Sequence, residues 1–598
     1  MSQPLNPRTP YEVSRQASGH ALLNCTVKEL AIPGGLLSYQ WPANQEGLPE
    51  LSHGIPLLIE WPNGLSLFVL VDRKSTLGSQ YYLSDLYLRD TASAAWQVPE
   101  FAALAGALVE ACQHLEDGCS NAELLDQICQ SQDVMHDIVQ HAGDSQSPLQ
   151  DYPGSEHGLW FGHPNHPTPK ARQWPPELDA RRYGPEFRPD GCLYQFEVPR
   201  DGLHINANRI DAEAVLASVA DQRHAADVER AVISMHPVQA ALFKQDSRVA
   251  ALLRDGVLRD LGETGFAATP TASMRTWYIA DHPFFIKGSL NVRITNCVRK
   301  NAWYELESTL VIDRIMHQLM EQRDPALAAL CVSQEPATLH WAPAWADEET
   351  QLWFREQTGI ILRENFCRQE GAENCLMAGT LFARDTGLVP LAPAFVAGAS
   401  STGESELPSE EALMAWFDDY LHGLVQPVLA LFFRHGIVME PHLQNCVLVH
   451  QDGRPQRVLL RDFEGVKLTD DKGVDWLAGE RNLPSRVRES MIYSREKGWQ
   501  RIAYCLFINH LSEAVLALSW QRPELGEQLW AQVFVELKRV REVLAVDAPE
   551  LDALIAGEAL PCKTNFKLRL SAQADRQAQY VRLPSPWHTE KRREAIHA

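Results

Sequence analysis

Glu440-Pro441-His442-Leu443-Gln444-Asn445 and Arg461-Asp462-Phe463-Glu464-Gly465 are the stretches on which the reading of this chain turns. Each follows an apolar run, and the residues between them read as a β-hairpin. Cys446 to His450 is a strand, Gln451-Asp452-Gly453-Arg454-Pro455 is turn chemistry, and Gln456 to Leu460 is the return strand. Such a hairpin brings Glu440, His442, Asn445 and Asp462 to one end of a small sheet. Carboxylates and an Asn carbonyl are hard oxygen ligands, as Mg²⁺ beside a nucleoside triphosphate requires. The plainer alternative is a hairpin with solvated polar ends, since His, Asn and paired acids are common at turns.

A second constellation lies upstream. The chain carries a formal charge of -23, yet Thr271 to Lys300 holds Arg275, Lys287, Arg293, Arg299 and Lys300 against a single acid, Asp281. Cations clustered inside an acidic chain indicate a local anion site. From Lys287 to Thr295 the residues alternate: Lys287, Ser289, Asn291, Arg293 and Thr295 on one face, Gly288, Leu290, Val292 and Ile294 on the other. That describes a strand lining a cleft. Thr295 is expected to cap a helix through Asn296-Cys297-Val298-Arg299, whose free N–H groups would attract carboxylate or phosphate. Arg275 offers the planar fork suited to such anions. The alternative is a solvated strand face.

A third element is Gly162-His163-Pro164-Asn165-His166-Pro167-Thr168-Pro169-Lys170, a proline-stiffened loop that could present an imidazole and Lys170 to a phosphate. No Cys or third His stands at structural-zinc spacing from His163 and His166. His236-Pro237-Val238-Gln239 means little by itself.

Composition sets outer limits. At 598 residues two to four domains are expected, and 45% hydrophobic with 22% charged residues is ordinary for a soluble protein. Twelve Cys without a CxxC pair favour reduced thiols and a cytoplasmic location. Met1 to Arg8 shows no signal-peptide pattern. Leu421 to Met439, the longest apolar stretch, contains His422, Pro427, Arg434 and His435, and reads as a buried helix and strand with no membrane span. A pI near 5.4 argues against a nucleic-acid partner. Gly143 to Pro148 and Gly398 to Ser405 read as linkers, and Pro408-Ser409-Glu410-Glu411 as the start of a long helix.

Taken in order, GHPxHPxxK, HPxQ, SxRT, KxSLNxRxTxxxR, ExHxQN and RDxxG resemble the siderophore synthetases that work independently of nonribosomal peptide synthetases, the aerobactin-synthetase family. Asn291 to Leu306 looks most like the achromobactin-type, citrate-using branch. Val238 departs from the Trp common in HPWQ, and Gln173-Trp174 from a common Gly-aromatic pair. The resemblance implies an α+β, multi-domain cupped hand of thumb (1–160), fingers (161–396) and kinase-like palm (397–598). It implies an ATP-dependent, AMP-forming ligase in iron acquisition. A citrate carboxylate would be adenylated, then captured by an amine or hydroxyl such as serine or a small amine. His163, Lys170, Ser273, Arg275, Lys287, Gln444 and Asn445 match nucleotide-binding positions. Ser273, Thr295, Asn296, Arg299 and His442 match the citrate and adenylate pocket, with Arg299, His442, Lys287 and Arg275 in catalytic roles. Glu440 and Asp462 match the Mg²⁺ carboxylates, and a homodimer is implied. A kinase-like phosphotransferase is the competing reading, although no glycine-rich phosphate loop is present. A scaffold that has kept the fold without catalysis is a third. As the acid, 2-oxoglutarate or a citrate monoamide is the alternative.

Overall fold

The computed structural model describes residues 9–48, 53–90, 95–116, 120–143, 147–220, 229–294, 297–400, 407–573 and 577–587. Its architecture is α+β. The hairpin forms as Cys446–Gln451 and Arg454–Leu460, with Gln451 opposite Arg454. Asp452 and Gly453 both take positive φ, 51° and 79°, so the turn needs only these two residues. Arg454 and Pro455 therefore belong to the strand and not to the turn. Cys375–Met377 pairs antiparallel with one side of the hairpin, and Cys331–Val332 parallel with the other. The sheet carrying the two decisive motifs is thus completed by strands from far upstream.

Behind that sheet runs the long helix Glu410–His435. Ser409 Oγ accepts from Ala412 N, Glu410 and Glu411 occupy the first turn, and Arg434 and His435 the last, so both ends complement the helix dipole. Most of its side chains from Trp416 to Phe433 are buried in the largest core. Gly436 ends it in the left-handed region, φ 66°, and leads through the short strand Ile437–Val438 to Glu440. Another apolar helical run, Arg495–Leu518, is long enough to cross a membrane but is almost wholly buried inside the molecule. Its middle, Tyr504–Leu511, is wound as a π-helix.

Residues between Gly191 and Glu364 form an antiparallel sheet of seven strands, in which Thr276–Tyr278, Phe284–Gly288 and Ile360–Glu364 are neighbours. The alternating run from Lys287 does not continue as one strand. It breaks at Ser289, and Leu290–Ile294 pairs instead with Cys297–Arg299, Ile294 facing Cys297. The helix expected from Thr295 is therefore absent: a Ser/Thr start signal is a weak preference, and here antiparallel pairing with the preceding segment outweighs it. Thr295 and Asn296 themselves lie outside the described residues. The next helix is Trp303–Glu321. Of the two expected linkers, Gly398 to Ser400 ends the helix Ala392–Ser400, and 401–406 and 144–146 lie outside the described residues. The HPxQ element proves to be framework. Gln239 Oε1 accepts from Asn291 N at 2.7 Å, and Val238 packs with Met274, Leu290 and Val292.

Gly436 links fold and site. A Cβ there would lie 2.2 Å from Gly473 N, on a backbone already in the left-handed region. Gly436→Ala is expected to cost more than about 1 kcal/mol, the penalty of the conformation alone. A urea-unfolding midpoint unchanged from the native protein would contradict this.

Candidate active site

Three parts of the chain converge on one cleft of about 580 Å³. The Gly162–Lys170 loop, the Thr271–Thr276 turn with Lys287, Arg299 and Lys300, and the two hairpin motifs all line it. Its lining contains eleven Lys and Arg against five Asp and Glu. In a chain of charge -23 this is a strong local inversion, and it suits a polyanion.

The cations of the fingers meet the carboxylates at the end of the hairpin. Lys287 Nζ contacts Asp462 and, at 2.9 Å, Glu464. Arg275 grips Glu464 through both carboxylate oxygens, at 2.8 and 3.0 Å, and donates to Asn301 Oδ1 at 2.5 Å. Arg363 bridges Glu335 (2.7 Å) and Asp462 (3.4 Å). Burial would raise the carboxyl of Asp462, but Lys287, Arg363 and Arg275 overcome it and hold the group well below the usual carboxylate range. In Glu464 burial is likewise outweighed, by Arg275 and Lys287, and the value falls to about 2. Both are therefore anions. Asp462 sits at φ 82°, a strained position for a non-glycine residue that marks the turn out of the return strand. Glu440 lines the same cleft and is held by Arg501 at 2.5 Å.

A buried ion pair fixes the two loops relative to one another. Arg461 donates to the carbonyl of Gln444 (2.7 Å), to Tyr152 (2.5 Å) and to Glu156 (2.5 Å). The second oxygen of Glu156 accepts from Ala272 N at 2.9 Å. One carboxylate on the short helix Tyr152–His157 thus ties the Thr271–Thr276 turn to the motif end of the hairpin.

His163 and His442 are neutral. Burial lowers His163 to about 4 and His442 well below the ordinary imidazole value. Their rings meet edge to face at 5.8 Å, and His163 lies 3.5 Å from Gln444 Oε1. His442 Nδ1 is buried and has no hydrogen-bond partner among the described residues.

Of the residues singled out in the sequence, His163, Lys170, Ser273, Arg275, Lys287, Arg299, Glu440, His442, Gln444, Asn445 and Asp462 all line this cleft. Arg293, counted on the same face by alternation, does not: it points to Glu123 at 3.6 Å. Lys170 is less available than its loop suggests, because Glu186 holds it at 2.6 Å. Several participants escaped sequence reading. Glu464 stood unassigned inside RDFEG, and Glu305 inside the quoted stretch to Leu306. Glu156, Arg363, Arg501 and Glu186 carried no motif signal.

Residues 151–383 match the IucA / IucC family, and residues 414–578 match the family described as ferric iron reductase FhuF-like transporter. The L-2,3-diaminopropanoate–citrate ligase of Staphylococcus aureus is 25% identical over 86% of this chain and 88% of its own. The rhizobactin siderophore biosynthesis protein RhbC of Rhizobium meliloti is 29% identical over 76% and 78%. Among solved structures, ATP-bound aerobactin synthetase IucA of Klebsiella pneumoniae superposes with a TM-score of 0.81 over 96% of this chain and 99% of that one, at 21% identity. The petrobactin biosynthesis protein AsbB of Bacillus anthracis gives 0.74 at 19% identity, over 98% and 97%. The chain belongs to the IucA/IucC family of siderophore synthetases that act independently of nonribosomal peptide synthetases, and is a ligase.

Proposed function

We propose that this ligase activates a carboxylate of citrate as an acyl adenylate, releasing pyrophosphate, and transfers the citryl group to an amine or hydroxyl with release of AMP. The observation that carries the reading is the cleft itself, with its excess of six cations over acids inside an acidic protein. ATP and citrate are both polyanions, and their mutual repulsion in a low-dielectric cleft has to be cancelled before one can react with the other. Citrate appears in the names of the Staphylococcus aureus relative and of the spermidine–citrate ligase of Bacillus anthracis, which is 24% identical. Those two names also bracket the acceptor, an amino acid in one and a polyamine in the other.

Lys287 and Arg275 are placed to receive phosphate oxygens, and Ser273 Oγ, bonded to Thr276 Oγ1 at 2.9 Å, stands at the lip of the same turn. Gln444 and Asn445 line the nucleotide side. Arg299 and the orphaned Nδ1 of neutral His442 face the citrate carboxylates, with Thr295 and Asn296 assigned there by resemblance alone. Glu440 and Asp462 are the hard oxygen donors that would hold Mg²⁺ together with phosphate oxygens; no cluster of three His, Cys, Asp or Glu stands there among the described residues, and each carboxylate is held by a cation, Arg501 or Lys287, that the metal would replace. The metal when bound would neutralise phosphate charge. Ten described cysteines are all free thiols, which supports a reducing, cytoplasmic setting. A homodimer is part of the proposal by resemblance.

Incubation with ATP, Mg²⁺ and citrate separates the readings. AMP and pyrophosphate are expected, whereas ADP would favour a phosphotransferase. Asp462→Asn is nearly isosteric and leaves Lys287 its partner Glu464 and Arg363 its partner Glu335, so the fold should be kept while most pyrophosphate release is lost; near-normal turnover would remove Asp462 from the metal site.

Arg299→Ala should raise the citrate KM and depress kcat/KM about tenfold or more, since a hydrogen bond between charged groups contributes about 1.5–3 kcal/mol. A change within about twofold would place Arg299 outside the citrate pocket. Among acids, hydroxamate formation with hydroxylamine should run faster with citrate than with 2-oxoglutarate or succinate, because a dicarboxylate leaves a cation unpaired. Faster reaction with 2-oxoglutarate would move the substrate assignment and leave the ligase class intact.

A further inference from the structure

Of the five carboxylates lining the cleft, four are within ion-pair distance of a Lys or Arg: Glu186, Glu440, Asp462 and Glu464. Glu305 is the exception among the described residues. It stands in the first turn of the helix Trp303–Glu321, where its Oε2 accepts from Ala302 N at 3.0 Å. That bond fixes the side chain without discharging it. The charged groups that bear on it are Glu464, Arg275 and Lys467.

The condensation half-reaction leaves one chemical need unmet. An amine acceptor arrives as an ammonium ion: one proton leaves to water to free the lone pair, and a second leaves the nitrogen as the C–N bond forms and the C–O electron pair departs on AMP. The other candidates are poor proton acceptors. His163 is lowered to about 4, Glu186 and Glu464 to about 2, and Asp462 is engaged by Lys287 and Arg363. We propose that Glu305 is a catalytic residue of this half-reaction, its free carboxylate oxygen taking the second proton that the acceptor nitrogen loses. This rests on the citrate-adenylate reading above. Burial, reinforced by the neighbouring charge of Glu464, brings Glu305 to about 7, close to the pH at which a general base is most effective.

The capping bond supplies a clean variant, because a glutamine at this position can still accept from Ala302 N. In Glu305→Gln, citrate-dependent exchange of labelled pyrophosphate into ATP should stay within about twofold of native. Amide formation, measured with ethylenediamine and with L-2,3-diaminopropanoate, should fall about a hundredfold, the usual worth of a general base. The component of the rise in acceptor kcat/KM that comes from Glu305 becoming anionic at about pH 7 should be missing in the variant, leaving only the rise due to deprotonation of the acceptor amine itself. Hydroxylamine, already neutral at that pH, should still trap the activated citrate in the variant. Loss of exchange and condensation in equal measure, or condensation within twofold of native, would overturn the proposal. Absence of exchange in the native enzyme would overturn the parent reading, and this one with it. Glu305→Ala, which also loses the cap, should lower the unfolding midpoint where Glu305→Gln does not; equal destabilisation by both would assign the residue to the helix alone.

Discussion

Everything in the cleft depends on cations of the fingers being held against carboxylates of the palm. Lys287 and Arg275 are almost fully buried, and charges so placed persist only when paired. Their partners, Asp462 and Glu464, arrive on a different part of the chain, at the end of the hairpin. The pairing keeps all four ionised, stitches the two halves together, and stores the charge that a polyanionic substrate needs.

The geometry is locked from behind by Glu156 and Arg461, both nearly inaccessible to solvent. Because Glu156 also receives Ala272 N, the turn bearing Ser273 and Arg275 cannot move independently of the loop bearing His442 and Gln444. Removing one partner would leave the other charge buried and alone, which is the costly way to break such a pair. On the opposite wall the π-wound segment turns Tyr504, Cys505 and Asn509 toward the cleft. A π-turn re-aims side chains that a regular helix would send into the core, and such segments recur at functional sites. Asn509 Oδ1 accepts from Leu443 N at 3.2 Å, so this wall also supports the His442 loop.

The hairpin, the long helix behind it and the cationic character of residues 271–300 were legible because their causes are local. Asp452-Gly453 has the conformational freedom of a two-residue turn, Ser409-Glu410-Glu411 has start chemistry, and Lys and Arg spacing is visible without a fold. The helix expected after Thr295 rests on a start signal that two equally local segments override: Ile294 pairs with Cys297 and Leu290 with Arg299, so a return strand stands where the helix was expected. Arg293 shared the alternation of Lys287 but not its sheet, so a break at Ser289 sent it to Glu123.

By itself, then, the order of residues determined which chemistries could be present: hard oxygen ligands, clustered cations, a tight turn, and the order of motifs that marks the family. Only the tertiary structure decided which charges pair, which histidines stay neutral, and that Glu305 alone among the cleft acids has no cation at ion-pair distance in the described residues. The reason is physical. Pairing and burial are set by groups hundreds of positions apart, as Glu156 and Arg461 are, and the energy of a charge depends on what surrounds it more than on what precedes it in the chain.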